Sequence, residues 1–225
     1  MKKQDNLRIV LLLALFMGFS GGSSLFSQNT GGLLPELPSH GEVLDQLAYT
    51  PSALIQTIPL SAGWNWVSVN VDITLADLQN ALVTALPNSQ MLVKSQTQNS
   101  RYTGTIWRGT FDLSATQMYK IYVPADCSIT LGGAPLNLNG QSITIVGNGN
   151  TYIGFPYSQS KTVAEAFAGF TPVAGDMVKS QTGNARYTGS TWRSQGLSTL
   201  EPGKGYIYLS ASSDDRTLTF STGSR

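Results

Sequence analysis

Residues 93–109 read VKSQTQNSRYTGTIWRG, and residues 178–194 read VKSQTGNARYTGSTWRS. Twelve of the 17 aligned positions are identical at a constant offset of 85. A fixed period of this kind marks one structural unit copied in tandem, so the fold is to be sought in one copy and then doubled. Val93-Lys94-Ser95-Gln96-Thr97 is expected to form a strand. Asn99-Ser100, or Gly183-Asn184, supplies turn chemistry. Arg101-Tyr102-Thr103 then returns, Gly104 turns again, and Ile106-Trp107-Arg108 forms a third short strand.

Working outward, Gly63-Trp64-Asn65-Trp66-Val67-Ser68-Val69-Asn70-Val71 aligns with Gly149-Asn150-Thr151-Tyr152-Ile153-Gly154-Phe155-Pro156-Tyr157 at an offset of 86. In both, every second residue from Val67 or Ile153 is apolar, the period of a strand with one buried face. Next come Thr74-Leu75-Ala76-Asp77 and Thr162-Val163-Ala164-Glu165. Each is a Thr with an acidic residue three places on, a capping signal that predicts one short amphipathic helix per copy. Leu75, Leu78 and Leu82 fall on one stripe, as do Val163, Ala166, Phe167 and Phe170. A final hairpin is expected from Lys120–Val123 with Ser128–Leu131, and from Tyr206–Leu209 with Thr217–Phe220. Gly132-Gly133-Ala134-Pro135 and Asn139-Gly140 read as tight turns between the copies. The expected class is α+β and β-rich: two homologous modules, each a mainly antiparallel sheet with one short amphipathic helix.

The N-terminus reads as an address. Lys2, Lys3 and Arg8 precede the apolar run 9–17, and small residues follow at Ser20–Ser24, the three-part form of a secretory signal peptide. The nine-residue run is short of the roughly 20 residues a membrane-spanning helix needs. The expected boundaries are a signal peptide over 1–27, an extended linker over 28–57, and modules over 58–140 and 141–225. Gln28 to His40 is expected to be extended, and Glu42 to Ala48 to form one or two helical turns.

Loss of residues 1–27 takes three basic groups and Asp5 from totals of 14 and 13, leaving 11 and 12 and a formal charge of −1. That balance argues against nucleic acid and against an anionic membrane surface as partners. Charged residues are 12% of the chain, about half the usual quarter. With abundant Gly, Ser, Thr and Asn, this matches extracellular β-proteins. A single cysteine, Cys127, rules out an internal disulfide.

With these residues laid out, the chain resembles a tandem repeat of secreted, often multi-domain bacterial surface proteins. The marks are a GWNW-type opening strand, a short helix, a D-φ-VKSQ block in which φ is apolar, an aromatic pair Y…W, and an L-x-PG-x-GY-x-Y close. The first copy carries Gly63-Trp64-Asn65-Trp66, Val93-Lys94-Ser95-Gln96, Tyr102 and Trp107. The second carries Asp176-Met177-Val178-Lys179-Ser180-Gln181, Tyr187, Trp192 and the close Leu200–Tyr208. The match covers about residues 58–220, with two departures. The second copy lacks the GWNW opening, and the first lacks the Pro-Gly close, reading Ala115-Thr116-Gln117-Met118-Tyr119-Lys120. The resemblance implies an exported, non-catalytic accessory module.

Catalysis fails on inventory. The one histidine, His40, sits in the leader, and clustered zinc ligands and alternating-Asp calcium loops are missing from the sequence. No cofactor is expected, and the chain is read as no enzyme. Binding is the better expectation. Trp64, Trp66, Lys94, Gln96, Arg101 and Trp107 in the first copy, with Lys179, Gln181, Arg186 and Trp192 in the second, offer aromatic faces flanked by polar donors. Such a set suits an extracellular glycan or protein ligand. The competing reading packs Trp107 and Trp192 into each core and leaves Lys94 and Gln96 merely solvated. Trp64 stands apart, because its counterpart is Asn150 and the repeat does not require an aromatic ring there. The chain is thus expected to be a secreted binding or adhesion protein, at the cell surface or outside it. Two alternatives stay open: a carbohydrate-binding module, with a coplanar aromatic platform, and a structural spacer, with its aromatics buried.

Overall fold

The structure, a computed structural model, describes residues 53–221. The expected signal peptide, the Gln28–His40 stretch, the Glu42–Ala48 helical turns and His40 lie outside the described residues. The first copy forms strands β1 (Leu54–Leu60), β2 (Gly63–Val67) and β3 (Val71–Asp72), helix α1 (Leu75–Ala85), then β4 (Met91–Lys94), β5 (Asn99–Tyr102), β6 (Trp107–Arg108), β7 (Tyr119–Val123) and β8 (Cys127–Pro135). The second forms β9 (Ser142–Ile145), β10 (Asn150–Ile153) and β11 (Lys161–Thr162), then α2 (Val163–Ala166). It closes with β12 (Met177–Lys179), β13 (Asn184–Tyr187), β14 (Trp192–Gln195), β15 (Thr199–Leu200), β16 (Tyr206–Leu209) and β17 (Arg216–Thr219).

These elements make a β-rich α+β fold of mainly antiparallel sheets. Two five-stranded sheets dominate, ordered β2-β7-β4-β5-β6 and β10-β16-β12-β13-β14. Under the repeat offset the two orders are the same. The pairing of β1 with β8 likewise has its counterpart in β9 with β17. Alternation decides which face of each sheet is dry. In the first sheet Val67, Val93, Ile121 and Val123 point inward, onto Leu75, Leu78 and Leu82 of α1. In the second, Ile153, Val178, Tyr206 and Tyr208 meet Val163, Phe167 and Phe170. Both expected capping boxes form: Thr74 with Asp77, and Thr162 with Glu165. Each acidic side chain accepts hydrogen bonds from its threonine side chain and backbone, which hold its carboxyl below the ordinary value. No helix among the described residues is long and apolar enough to cross a membrane.

The structure corrects three local expectations. Lys120–Val123 and Ser128–Leu131 do not make a hairpin, because β7 is flanked on both sides by β2 and β4 while β8 crosses to β1 and β3. Their second-copy equivalents part in the same way. A central strand has both edges occupied, so its sequence neighbour must pair elsewhere. Gly132–Pro135 is not a turn but the end of β8. The turn after β4 comes earlier than Asn99-Ser100. It is made by Ser95, whose Oγ accepts from the backbone of Thr97 and Gln98, with Ser180 doing the same for Thr182 and Gly183.

The described residues, 53–221, all fall in one compact unit, and the copies meet within it along a pseudo-symmetric seam. The Ser68 N–H donates to the Gly203 carbonyl at 3.2 Å, and the equivalent Gly154 N–H donates to that of Thr116 at 2.8 Å. The β7 and β16 alignment makes Met118 the counterpart of Gly205, and these two residues touch each other at the seam. A Cβ placed on Gly205 would lie 2.1 Å from the Met118 side chain and 2.9 Å from the Val67 carbonyl oxygen. Met118 is fully buried, so the large side chain of one copy fills the space left by the absent side chain of the other.

Gly205→Ala is therefore expected to lower the unfolding free energy by about 1–3 kcal/mol through overpacking. Met118→Ala alone is expected to cost about 2–5 kcal/mol through the cavity it opens. The double variant should lose less than the sum, and a urea-unfolding double-mutant cycle on the four proteins measures that coupling.

Candidate functional site

Each five-stranded sheet turns its second face away from its core, and the register shows what that face carries. In the first sheet one cross-strand row runs Trp64, Tyr122, Leu92, Arg101, Arg108, and the next runs Trp66, Lys120, Lys94, Asn99. In the second sheet the rows are Asn150, Leu209, Met177, Arg186, Arg193 and Tyr152, Ile207, Lys179, Asn184. Trp64 is 44% exposed. Its ring meets Tyr122 edge-on, at 5.5 Å and 62°, and the Lys94 ammonium lies 5.6 Å from its centroid. Trp66 is half-buried at the seam. The Lys120 ammonium sits between it and Tyr152 of the other copy, 5.3 and 5.0 Å from the two ring centroids. The outer faces of the two sheets therefore meet at Lys120.

The residues singled out in the sequence divide into three groups. Trp64, Trp66, Lys94, Arg101, Lys179 and Arg186 share this outer surface. Trp107 and Trp192 sit on the inner side. Trp107 lies 5.1 Å from Tyr102, and its buried indole N–H finds no acceptor among the described residues. Trp192 packs among Phe167, Tyr187 and Tyr208. Gln96 and Gln181 form the third group, where the side-chain amide takes the place of a strand. Gln96 Oε1 accepts from the Tyr152 N–H at 2.8 Å, while its Nε2 donates to the Asn150 carbonyl at 2.8 Å. Gln181 does the same to the first copy, accepting from the Trp66 N–H and donating to the Trp64 carbonyl, both at 2.7 Å. Each amide thus covers the free edge of the other copy's opening strand, which would otherwise present unpaired peptide groups.

Tyr122 and Lys120 read in the sequence as strand residues and not as site candidates, although the alternation Tyr119-Lys120-Ile121-Tyr122-Val123 places them together on the polar face. The buried network around Asp176 escaped the sequence reading, with no comparable pattern to reveal it. Asp176 is fully buried. Its carboxylate accepts from Tyr208 Oη at 2.6 Å, from the Ala211 and Val173 N–H groups at 2.8 Å each, and from Arg216 at 2.9 Å. Burial pushes the Asp176 carboxyl up, and these hydrogen bonds together outweigh burial and hold it below the ordinary value. Burial pushes the Tyr208 phenol upward, and the adjacent carboxylate reinforces the shift. In the first copy the aligned positions are Met91 and Ile121, so the repeat tolerates an apolar or an ionic solution at one place. The network lies within the second copy, and the buried Arg216 Nε finds no acceptor among the described residues. Among the described residues no three His, Cys, Asp or Glu side chains converge as they would around a metal ion.

Comparison with protein-family models, with curated proteins and with solved structures returned no match.

Two outcomes are expected. Gln96→Ala and Gln181→Ala should each cost about 1–3 kcal/mol, since each loses two net hydrogen bonds of about 0.5–1.5 kcal/mol and uncovers an edge; chemical denaturation checks this. Asp176→Ala should cost about 3–5 kcal/mol by leaving Arg216 beside an emptied site. Because the folded pKa of Asp176 is depressed, its stabilisation is complete above the unfolded value of about 3.9 and is lost as pH falls through the folded value. The gap in melting temperature between wild type and Asp176→Asn should therefore narrow only below about pH 4.

Proposed function

We propose that the protein is an exported, non-enzymatic binding or adhesion protein whose ligand surface is the outer face of the two sheets, centred on Trp64. The observation that carries this reading is the exposure of Trp64. A tryptophan 44% open to solvent, on a strand whose counterpart carries Asn150, is exposed apolar surface that the second copy does without. The spacer reading asks for all aromatics to be buried, and Trp64 weighs against it. Among glycan readings, the 62° angle between Trp64 and Tyr122 argues against a coplanar two-ring platform. It favours a single ring with the Lys94 ammonium beside it. The N-terminal stretch that reads as an export signal, the low charge content and the resemblance to surface-protein repeats support a location outside the cell.

Binding to a glycan array and to a panel of extracellular proteins tests the reading, with Trp64→Ala beside the wild type. Binding is expected to weaken at least tenfold, a loss of about 1.4 kcal/mol, while the melting temperature stays unchanged. Wild-type binding that the substitution leaves intact would move the surface elsewhere.

A further inference from the structure

We propose that this surface takes an acidic polysaccharide, a chain whose repeating anionic groups lie along the cationic rows of the two sheets; this deepens the reading of the outer face as the ligand surface and rests on it. The near-neutral overall charge hides a segregation. Ten Lys and Arg residues lie within residues 53–221, and seven of them stand on the outer faces: Lys94, Arg101, Arg108, Lys120, Lys179, Arg186 and Arg193. No Asp or Glu occurs in any of the ten strands of these sheets. Of the other three cations, Lys204 pairs with Glu201 and Arg216 with Asp176, while Lys161, like Lys94 and Lys120 of the seven, lies over an aromatic ring, 3.7 Å from the Tyr157 centroid. None of the seven is in an ion pair among the described residues.

The register sharpens the point. Arg101 stands opposite Arg108, Arg186 opposite Arg193, and Lys94 opposite Lys120. Like charges directly opposite on one sheet face repel and destabilise it, and a carboxylate at one member of each pair would relieve that. The fold instead places arginine against arginine in both copies, with no carboxylate in either sheet to offset the repulsion. A ligand anion seated between two guanidinium groups would turn the repulsion into two charge-assisted contacts. The Trp64 ring, with Lys94 beside it, offers an apolar face to the C–H side of a sugar ring, which favours a glycan over other polyanions. Because the two faces meet at Lys120, the rows continue from one sheet to the next. At about 4.8 Å per strand each sheet spans roughly 20 Å, so a short oligosaccharide reaches one sheet and a longer chain both.

The test measures binding of the full chain to immobilised polygalacturonate and chondroitin sulfate. Neutral dextran, double-stranded DNA and phosphatidylserine vesicles are run alongside. Retention is expected on the two acidic polysaccharides and not on dextran, with affinity falling at least tenfold between 50 and 200 mM NaCl as counterions compete. Affinity should also rise with chain length. The variant Arg101→Gln/Arg108→Gln/Arg186→Gln/Arg193→Gln should bind at least tenfold more weakly yet melt at the same temperature or higher. A variant that melts lower and binds as before would overturn the inference, since the arginines would then be structural. Retention that is no stronger on the acidic polysaccharides than on DNA or vesicles would overturn the choice of a glycan. Salt-insensitive binding to a neutral glycan that is lost with Trp64→Ala would leave the proposed function standing and remove this inference. Absence of binding to any glycan or protein would remove both.

Discussion

A β-strand at the rim of a sheet carries peptide groups that must find partners, and the arrangement of this protein turns on how two such rims are satisfied. The opening strand of each copy lies at one edge of its five-stranded sheet. In each case the missing neighbour is supplied by the other copy, through one glutamine amide and the backbone of one closing turn. A primary amide carries the same donor and acceptor as a peptide unit, so it completes the edge at one position without extending the ladder. Because the exchange is reciprocal, neither copy's edge is fully satisfied without the other, which accounts for one compact unit built on two separate cores.

That demand gives each letter of the duplicated Val-Lys-Ser-Gln a separate task. Val93 and Val178 fill the two cores, while Lys94 and Lys179 stand on the outer faces. Ser95 and Ser180 lock the turn, and Gln96 and Gln181 reach across the seam. Four consecutive residues thus serve packing, surface, turn and association, and any substitution among them bears on a different property. The near-identity of the segment reflects this crowding of roles.

Much of the architecture was legible because it rests on local rules. The repeat, the two capping boxes and the alternation of Val67 or Val93 with polar neighbours follow from spacing alone. Pairing was less legible, since nothing in Lys120–Val123 says that both its edges are taken by strands distant in sequence. The same holds for the site. Trp64 announces itself by its mismatch with Asn150. The glutamines read equally well as solvent-facing, because their partners lie 54 to 117 residues away. Net charge is silent on any one face for a related reason: it averages over surfaces, whereas register assigns each charge to a face. Asp176 and Arg216 were invisible as a pair, since only the folded chain brings them together across 40 residues.

The contact of Met118 with Gly205 carries a consequence for the two halves as partners. A position that meets its own counterpart on a symmetry axis is a self-recognition test, and identical halves can answer it only with one residue size. Two methionines would collide there, and two glycines would leave a void. Once the copies are joined and unlike, one can be the knob and the other the socket, and each half then prefers its opposite to its twin. The seam is a heterodimer interface written into a single chain, and its asymmetry disfavours pairing between like halves of neighbouring molecules.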